Sequence, residues 1–248
     1  ELIGSYVSSG QQNAQFDFNL YFDARSVFVN DNEPFTKLSE SLNESFNYYG
    51  WHSLMGNISG NHDIARFISY AGQDLKFTED DKEAGWNRNI IVKNKVGYKK
   101  LAQLIAYIST IPGVPVIYYG DEIGMPGAGD PDNRRMMKFD HLSTDEAHQL
   151  VITKQLLQLR KKNIALIYGD YNLLKADKKV MAYARYYFDS AAFVFFNKEN
   201  KTIKFKVNIP EKYAAASLKK HFNGKFSIQD NELIIELEPN SFEIITTK

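Results

Sequence analysis

Hydrophobic and polar positions change their rhythm near residues 167–170. Before that point, strand-like runs alternate with stretches at helical spacing. Beyond it, short alternating runs follow one another with almost no helical period. Alternating β and α predicts a parallel layer with crossover helices. Phe16–Phe22 alternates large apolar residues with smaller or polar ones, which predicts a first strand. Asn32-Glu33-Pro34 marks a helix start, and Phe35, Leu38, Leu42 and Phe46 then share one face until Gly50. Leu54–Ile58 predicts a second strand that runs straight into Ser59-Gly60-Asn61-His62-Asp63. Leu101, Leu104, Ile105 and Ile108 sit at helical spacing, and Pro112-Gly113 ends that helix. Val114–Tyr119 predicts a third strand. Ser143 and Glu146 have capping-box spacing, ahead of a helix with Ile152, Leu156 and Leu159 inward.

From Tyr171 onward the pattern is β only. Val180–Phe188 and Ala191–Asn197 flank an Asp189-Ser190 turn. Ile203, Phe205, Val207 and Ile209 alternate with polar residues, as do Leu233, Ile235 and Leu237. Asn223-Gly224 is a two-residue turn signal, and Phe242–Ile245 forms a closing strand. The expected architecture is therefore α/β over residues 1–168, followed by an all-β antiparallel sandwich over 169–248.

Charge narrows the partners. Lys plus Arg and Asp plus Glu each total 30 in 248 residues, which leaves no positive surplus for nucleic acid. A hydrophobic share of 44% supplies a core. With no cysteine, disulfides, thiolate zinc sites and thiol nucleophiles are excluded. There is no run of 18 apolar residues, so no membrane-spanning helix is expected. Glu1–Ser5 lacks signal-peptide character, and a first residue other than Met suits a processed product or a fragment. None of this assigns a compartment.

In parallel α/β folds, functional groups gather where strands end. Two predicted strand ends are dense in polar side chains: Asn61-His62-Asp63 with Arg66, and Tyr118–Glu122 followed by Gly124–Gly129 and Asp130-Pro131-Asp132-Asn133-Arg134-Arg135. Carboxylates, an imidazole, guanidinium groups and aromatic surface at one mouth suit a sugar, and glycosidic cleavage needs carboxylates near the anomeric carbon. Taken singly, each has a plainer reading. Asn61 and Asp63 would cap a loop, His62 would be a satisfied structural histidine, and Asp121-Glu122 would cap the next segment. Arg134 and Arg135 would pair with Asp130 and Asp132. Asp80–Glu83 reads as a solvated turn, and Trp51 and Trp86 as buried rather than sugar-stacking.

In order and spacing, these segments resemble the α-amylase family, glycoside hydrolase family 13. Gly60-Asn61-His62-Asp63 with Arg66-Phe67 resembles the motif that ends barrel strand seven. Pro112–Gly124 resembles strand eight, and Gly129–Arg134 the loop after it. Leu237–Phe242 resembles the end of the C-terminal domain. Arg66–Tyr70 and Pro126–Met137 are most similar to the neopullulanase, cyclomaltodextrinase and maltogenic amylase branch. The resemblance implies the C-terminal part of a (β/α)₈ barrel, strands six to eight, followed by a β-sandwich. It implies retaining chemistry on α-1,4 or α-1,6 glucosidic bonds, with an α-glucan or maltooligosaccharide as substrate. Asp63 matches the acid that stabilises the transition state, and His62 the histidine that bonds the same sugar. Asp130 and Arg134 match residues lining the neighbouring subsite. No cofactor is expected, although calcium serves many relatives through regions outside this chain.

The family's nucleophile motif at strand four and its acid/base Glu at strand five are both missing. Gly85-Trp86-Asn87-Arg88-Asn89 has no Asp at the required place, and Glu122 belongs with strand eight. The chain is thus expected to begin after strand five and to need the missing N-terminal polypeptide, or another protomer, to close a barrel. Alone it is expected to be inactive. Two other readings are a non-catalytic carbohydrate-binding protein and a metal-dependent hydrolase built on His62, Asp63, Asp121 and Glu122.

Overall fold

The computed structural model describes Val7, residues 12–51 and residues 54–248. The reading of Glu1–Ser5 lies outside them. In chain order the elements are helices α1 (Phe18–Val29) and α2 (Phe35–Tyr49), strand β1 (Gly56–Ile58), helices α3 (Phe67–Ala71), α4 (Asp81–Asn87) and α5 (Val96–Thr110), and strand β2 (Val114–Val116). Helices α6 (Thr144–Lys162) and α7 (Ile164–Tyr168) lead into strands β3 (Asp170–Ala176), β4 (Val180–Tyr187), β5 (Ser190–Asn197) and β6 (Ile203–Asn208). The short helix α8 (Glu211–Ala214) precedes β7 (Leu218–Lys220), β8 (Lys225–Gln229), β9 (Glu232–Leu237) and β10 (Ser241–Thr247).

The first strand is shorter than its sequence predicts. Only Phe16 bridges in parallel to Gly56, supported by Gly56 N–H donating to Gln15 and Asp17 N–H donating to Gly56. From Phe18 the chain is helical. The alternation over 16–22 loses to a longer stripe of Leu20, Ala24, Val27 and Phe28 at helical spacing, all buried. Asp17 caps this helix by accepting from Leu20 N–H at 3.0 Å, and its other carboxylate oxygen accepts from Ser45 of α2.

Strand β1 pairs in parallel with β2, in register Gly56↔Val114 to Ile58↔Val116. It is buried throughout, whereas β2 is partly open and its Val114 is exposed. A two-stranded parallel sheet extended only by the Phe16 bridge has such an edge. Helix α6 carries the expected capping box, with Ser143 and Glu146 bonded reciprocally.

The β strands form a five-stranded sheet, β3-β4-β5-β10-β7, and a three-stranded sheet, β6-β9-β8. Strand β5 reads as a continuous apolar run because both of its faces are covered. Val194 and Phe196 pack with α1, α2 and α5, while Phe193 and Phe195 pack toward the second sheet. Gln103 of α5 ties the layers together, donating to Asn197 O at 2.9 Å and Ser241 O at 3.0 Å. Two turns depart from expectation. The β4–β5 turn falls on Phe188-Asp189, one residue early. Asn223-Gly224 links strands of different sheets rather than a hairpin. A second two-residue hairpin turn lies at Asp230-Asn231 between β8 and β9, with φ of 48° and 63°.

Candidate active site

The site is built on the loops that leave β1 and β2. Its foundation is a buried polar knot. Ser59 donates to Asp121 Oδ2 at 2.6 Å and accepts from Tyr118 N–H at 3.0 Å. Gly60 passes so close that a Cβ there would sit 3.0 Å from the same Asp121 oxygen. Arg66 is 1% exposed. It bonds Asp121 Oδ1 at 3.0 Å, donates to Tyr119 O and to Asn133 O, and lies over the Tyr118 ring at 4.1 Å. Asn133 returns a bond to Ile64 O at 2.9 Å. One guanidinium therefore fastens the loop after β1 to the loop after β2. Burial pushes the Asp121 carboxyl up, against the opposing pull of Arg66 and Ser59.

On this base His62 and Asp63 stand in the open, with side chains 64% and 65% exposed. Asn61 Oδ1 accepts from Asp63 N–H at 2.9 Å, an Asx turn that holds the tripeptide's backbone. His62 Nε2 lies 3.3 Å from Asp63 Oδ1. Arg134 reaches across from the second loop. Its Nε donates to His62 O at 3.0 Å, it pairs with Asp130 at 3.0 Å, and its Nη2 lies 3.7 Å from Asp63. The four residues singled out from the sequence thus converge on one corner. Arg134 does pair with Asp130, as its plainer reading holds, and also approaches Asp63. Arg135 pairs with Asp132 at 2.7 Å and braces Ile90 O.

Several plainer readings fail. His62 is not a satisfied buried histidine. Asp80–Glu83 is no simple turn: Asp80 caps α4 by accepting from Glu83 N–H, and Asp81 accepts from Tyr70 OH at 2.7 Å. Trp51 and Trp86 are both exposed, and Trp51 stacks on Phe46 at 4.4 Å. The sequence reading quoted Ser59 and Asn133 within its polar segments but gave them no role, because their partners lie 62 and 69 residues away and leave no local signal. The metal alternative finds no support in geometry. Asp121 is engaged by Ser59 and Arg66, and among the described residues no group of three or more His, Asp or Glu is placed to hold a metal ion.

The segment behind the site, between α3 and α5, rests on Asp74. It accepts from Ile91 N–H at 2.8 Å and pairs with Lys93 at 2.7 Å and Arg88 at 3.5 Å. Burial alone would raise its carboxyl. The Lys93 contact, the Ile91 amide and Arg88 outweigh that and hold it below the ordinary value of 3.8. A lowered folded pKa means stabilisation present above the ordinary value and lost as pH falls through the folded one. Asp74→Asn is expected to cost about 1–2 kcal/mol at neutral pH, with Lys93 partly solvent-screened. The difference from the parent sequence should shrink below about pH 4. Denaturant midpoints at pH 7 and pH 3 check this, and equal differences at both would count against it.

Short parallel strands with polar groups at their ends, helices behind them and a β-sandwich docked on those helices define the C-terminal part of a (β/α)₈ barrel with its following sandwich domain. The family profile described as "Alpha amylase, catalytic domain" matches residues 1–152. The chain belongs to the α-amylase family of glycoside hydrolases. A cyclomaltodextrin glucanotransferase from Paenibacillus macerans is 32% identical over 187 residues, 75% of this chain and 22% of that protein. A cyclomaltodextrinase from Geobacillus thermopakistaniensis is 29% identical over 190 residues, 75% of this chain and 28% of that protein. The crystal structure of the Geobacillus thermoleovorans α-amylase complexed with acarbose superposes with a TM-score of 0.79 at 23% identity, over 100% of this chain and 50% of that one. The chain thus spans half of that solved relative and about a quarter of the two curated ones.

Proposed function

We propose that these residues form the sugar-holding side of a retaining α-glucan hydrolase acting on α-1,4 or α-1,6 bonds, in which Asp63 stabilises the transition state. The observation that carries this is the exposed His62–Asp63 pair at the end of a parallel strand, with Arg134 and Asp130 beside it. A carboxylate there accepts hydroxyls of the ring whose anomeric carbon gains positive charge, and it opposes that charge. His62 donates to the same ring. Arg134 and Asp130 line the adjoining subsite. The buried Arg66–Asp121 pair positions these groups without touching sugar. Acarbose in the Geobacillus thermoleovorans relative supports an oligosaccharide ligand.

In this reading the barrel portion is 1–168 and the sandwich 169–248, which fits the start of β3 at Asp170. The nucleophile and acid/base come from N-terminal polypeptide of the same enzyme or from another protomer, because neither motif occurs in these residues. Nucleic acid is no partner. The test is reducing-sugar release from maltooligosaccharides and cyclodextrin. These 248 residues alone should release none, while the barrel completed by strands one to five should release it. Release by the chain alone would overturn the division of labour. Sugar binding without hydrolysis by the completed barrel would favour a carbohydrate-binding protein instead.

A further inference from the structure

A cleft of about 480 Å³ opens where α5 and α6 meet the β-sandwich, and it shares no lining residue with the His62–Asp63 corner. Its size falls within the range of small-molecule sites. Tyr98 from α5 and Ile152 from α6 line one side. Phe222 and Phe242 line the other, with ring centroids 4.5 Å apart. The charged lining balances: Lys95 and Lys99 are matched by Asp145 and Glu238, and Lys95 already pairs with Asp145 at 2.6 Å. Such a lining gives no net attraction to a strongly charged ligand.

The remaining polar groups are amides, the hydroxyls of Tyr98 and Ser241 and an imidazole, groups that both donate and accept. Two of them are under-used. Gln149 is 1% exposed, yet among the described residues its amide nitrogen reaches only Thr153 Oγ1, at 3.4 Å. Asn240, in the left-handed region at φ 49°, has its Oδ1 buried without a hydrogen-bond partner. Both are closed off as the cleft stands, so a hydroxyl-rich occupant would meet them only as the side chains turn outward, whereas His148 and Asn223 stand open at the rim. Aromatic walls suit the apolar face of a sugar ring, while two-way hydrogen-bonding groups suit its edge.

We propose that this cleft is a second carbohydrate site, holding a short neutral α-glucan segment apart from the strand-end corner. The neutral, polyhydroxylated class of ligand rests on the lining; the choice of an α-glucan rests on the function proposed above. The probe is maltotetraose, titrated calorimetrically into the full chain beside cellotetraose. The expected result is binding of maltotetraose in preference to cellotetraose, weakened about 5- to 10-fold by the exposed-rim changes His148→Ala and Asn223→Ala, and unchanged by Lys201→Ala, an exposed change outside both the cleft and the strand-end corner. No binding at millimolar sugar overturns the proposal, as does binding lost with His62→Ala but kept in the cleft variants. Equal binding of cellotetraose overturns the α-glucan assignment. Each of these failures is separate from a failure of the strand-end reading, which shows instead as full turnover by a completed barrel carrying Asp63→Asn.

Discussion

Arg66→Met is expected to destabilise the protein by about 3–5 kcal/mol, the cost of leaving a buried charge without its partner. Asp121 is 2% exposed, and among the described residues Arg66 and Ser59 are the side chains that bond its carboxylate. Without Arg66, burial raises its carboxyl further. A raised folded pKa means that stability is lost as pH rises through it, so the mutant should suffer most at neutral pH and recover toward pH 4. Two carbonyl acceptors, on Tyr119 and Asn133, would also lose their donor. Arg66→Met with Asp121→Leu should be milder than the single change, since a buried pair replaced as a whole by apolar groups is often tolerated. Urea midpoints for both variants at pH 7 and pH 4 give the answer. A single-mutant loss under about 1 kcal/mol would mean that the knot does not hold the two loops together.

What the sequence could reveal followed the range of the interaction involved. The sandwich strands were legible because side-chain alternation is local, and β5 betrayed its double burial by an unbroken apolar run. The capping box of α6 was legible because Ser143 and Glu146 are three residues apart. Phe16–Phe22 misled because seven residues fit a period of 2, whereas the stripe through Phe28 decides for helix. Asn223-Gly224 has the chemistry of a hairpin turn, but its flanking strands belong to different sheets, a tertiary fact. Asp80–Glu83 looked like a solvated turn because Tyr70, which holds Asp81, comes from another element. At the site, His62, Asp63, Asp130 and Arg134 were reached through resemblance. The approach of Arg134 to Asp63 and the clamp of Arg66 on Asp121 exist only once the loops after β1 and β2 are side by side. Residue type pointed to the corner, and long-range pairing built it.

Asp63→Asn in the completed barrel is expected to lower kcat by about 10²–10³-fold or more, while the urea midpoint moves little. The two halves of that expectation separate function from structure. Asp63 is mostly exposed, and the His62 imidazole at 3.3 Å and the Arg134 guanidinium at 3.7 Å stand open to solvent as well, so the fold gains little from its charge. Asparagine keeps the size and can still accept a hydroxyl, so ground-state binding should suffer less than turnover. Only a full negative charge opposes the cation developing at the anomeric carbon. Arg134→Ala should act differently. It removes the bond to His62 O and, in the site proposed above, a subsite wall, so KM should rise more than kcat falls. If Asp63→Asn instead loosens the fold and spares kcat, then Asp63 is a loop residue and the chemistry lies elsewhere. If Arg134→Ala matches it in kcat, the pair acts as one unit, with the guanidinium setting where the carboxylate stands.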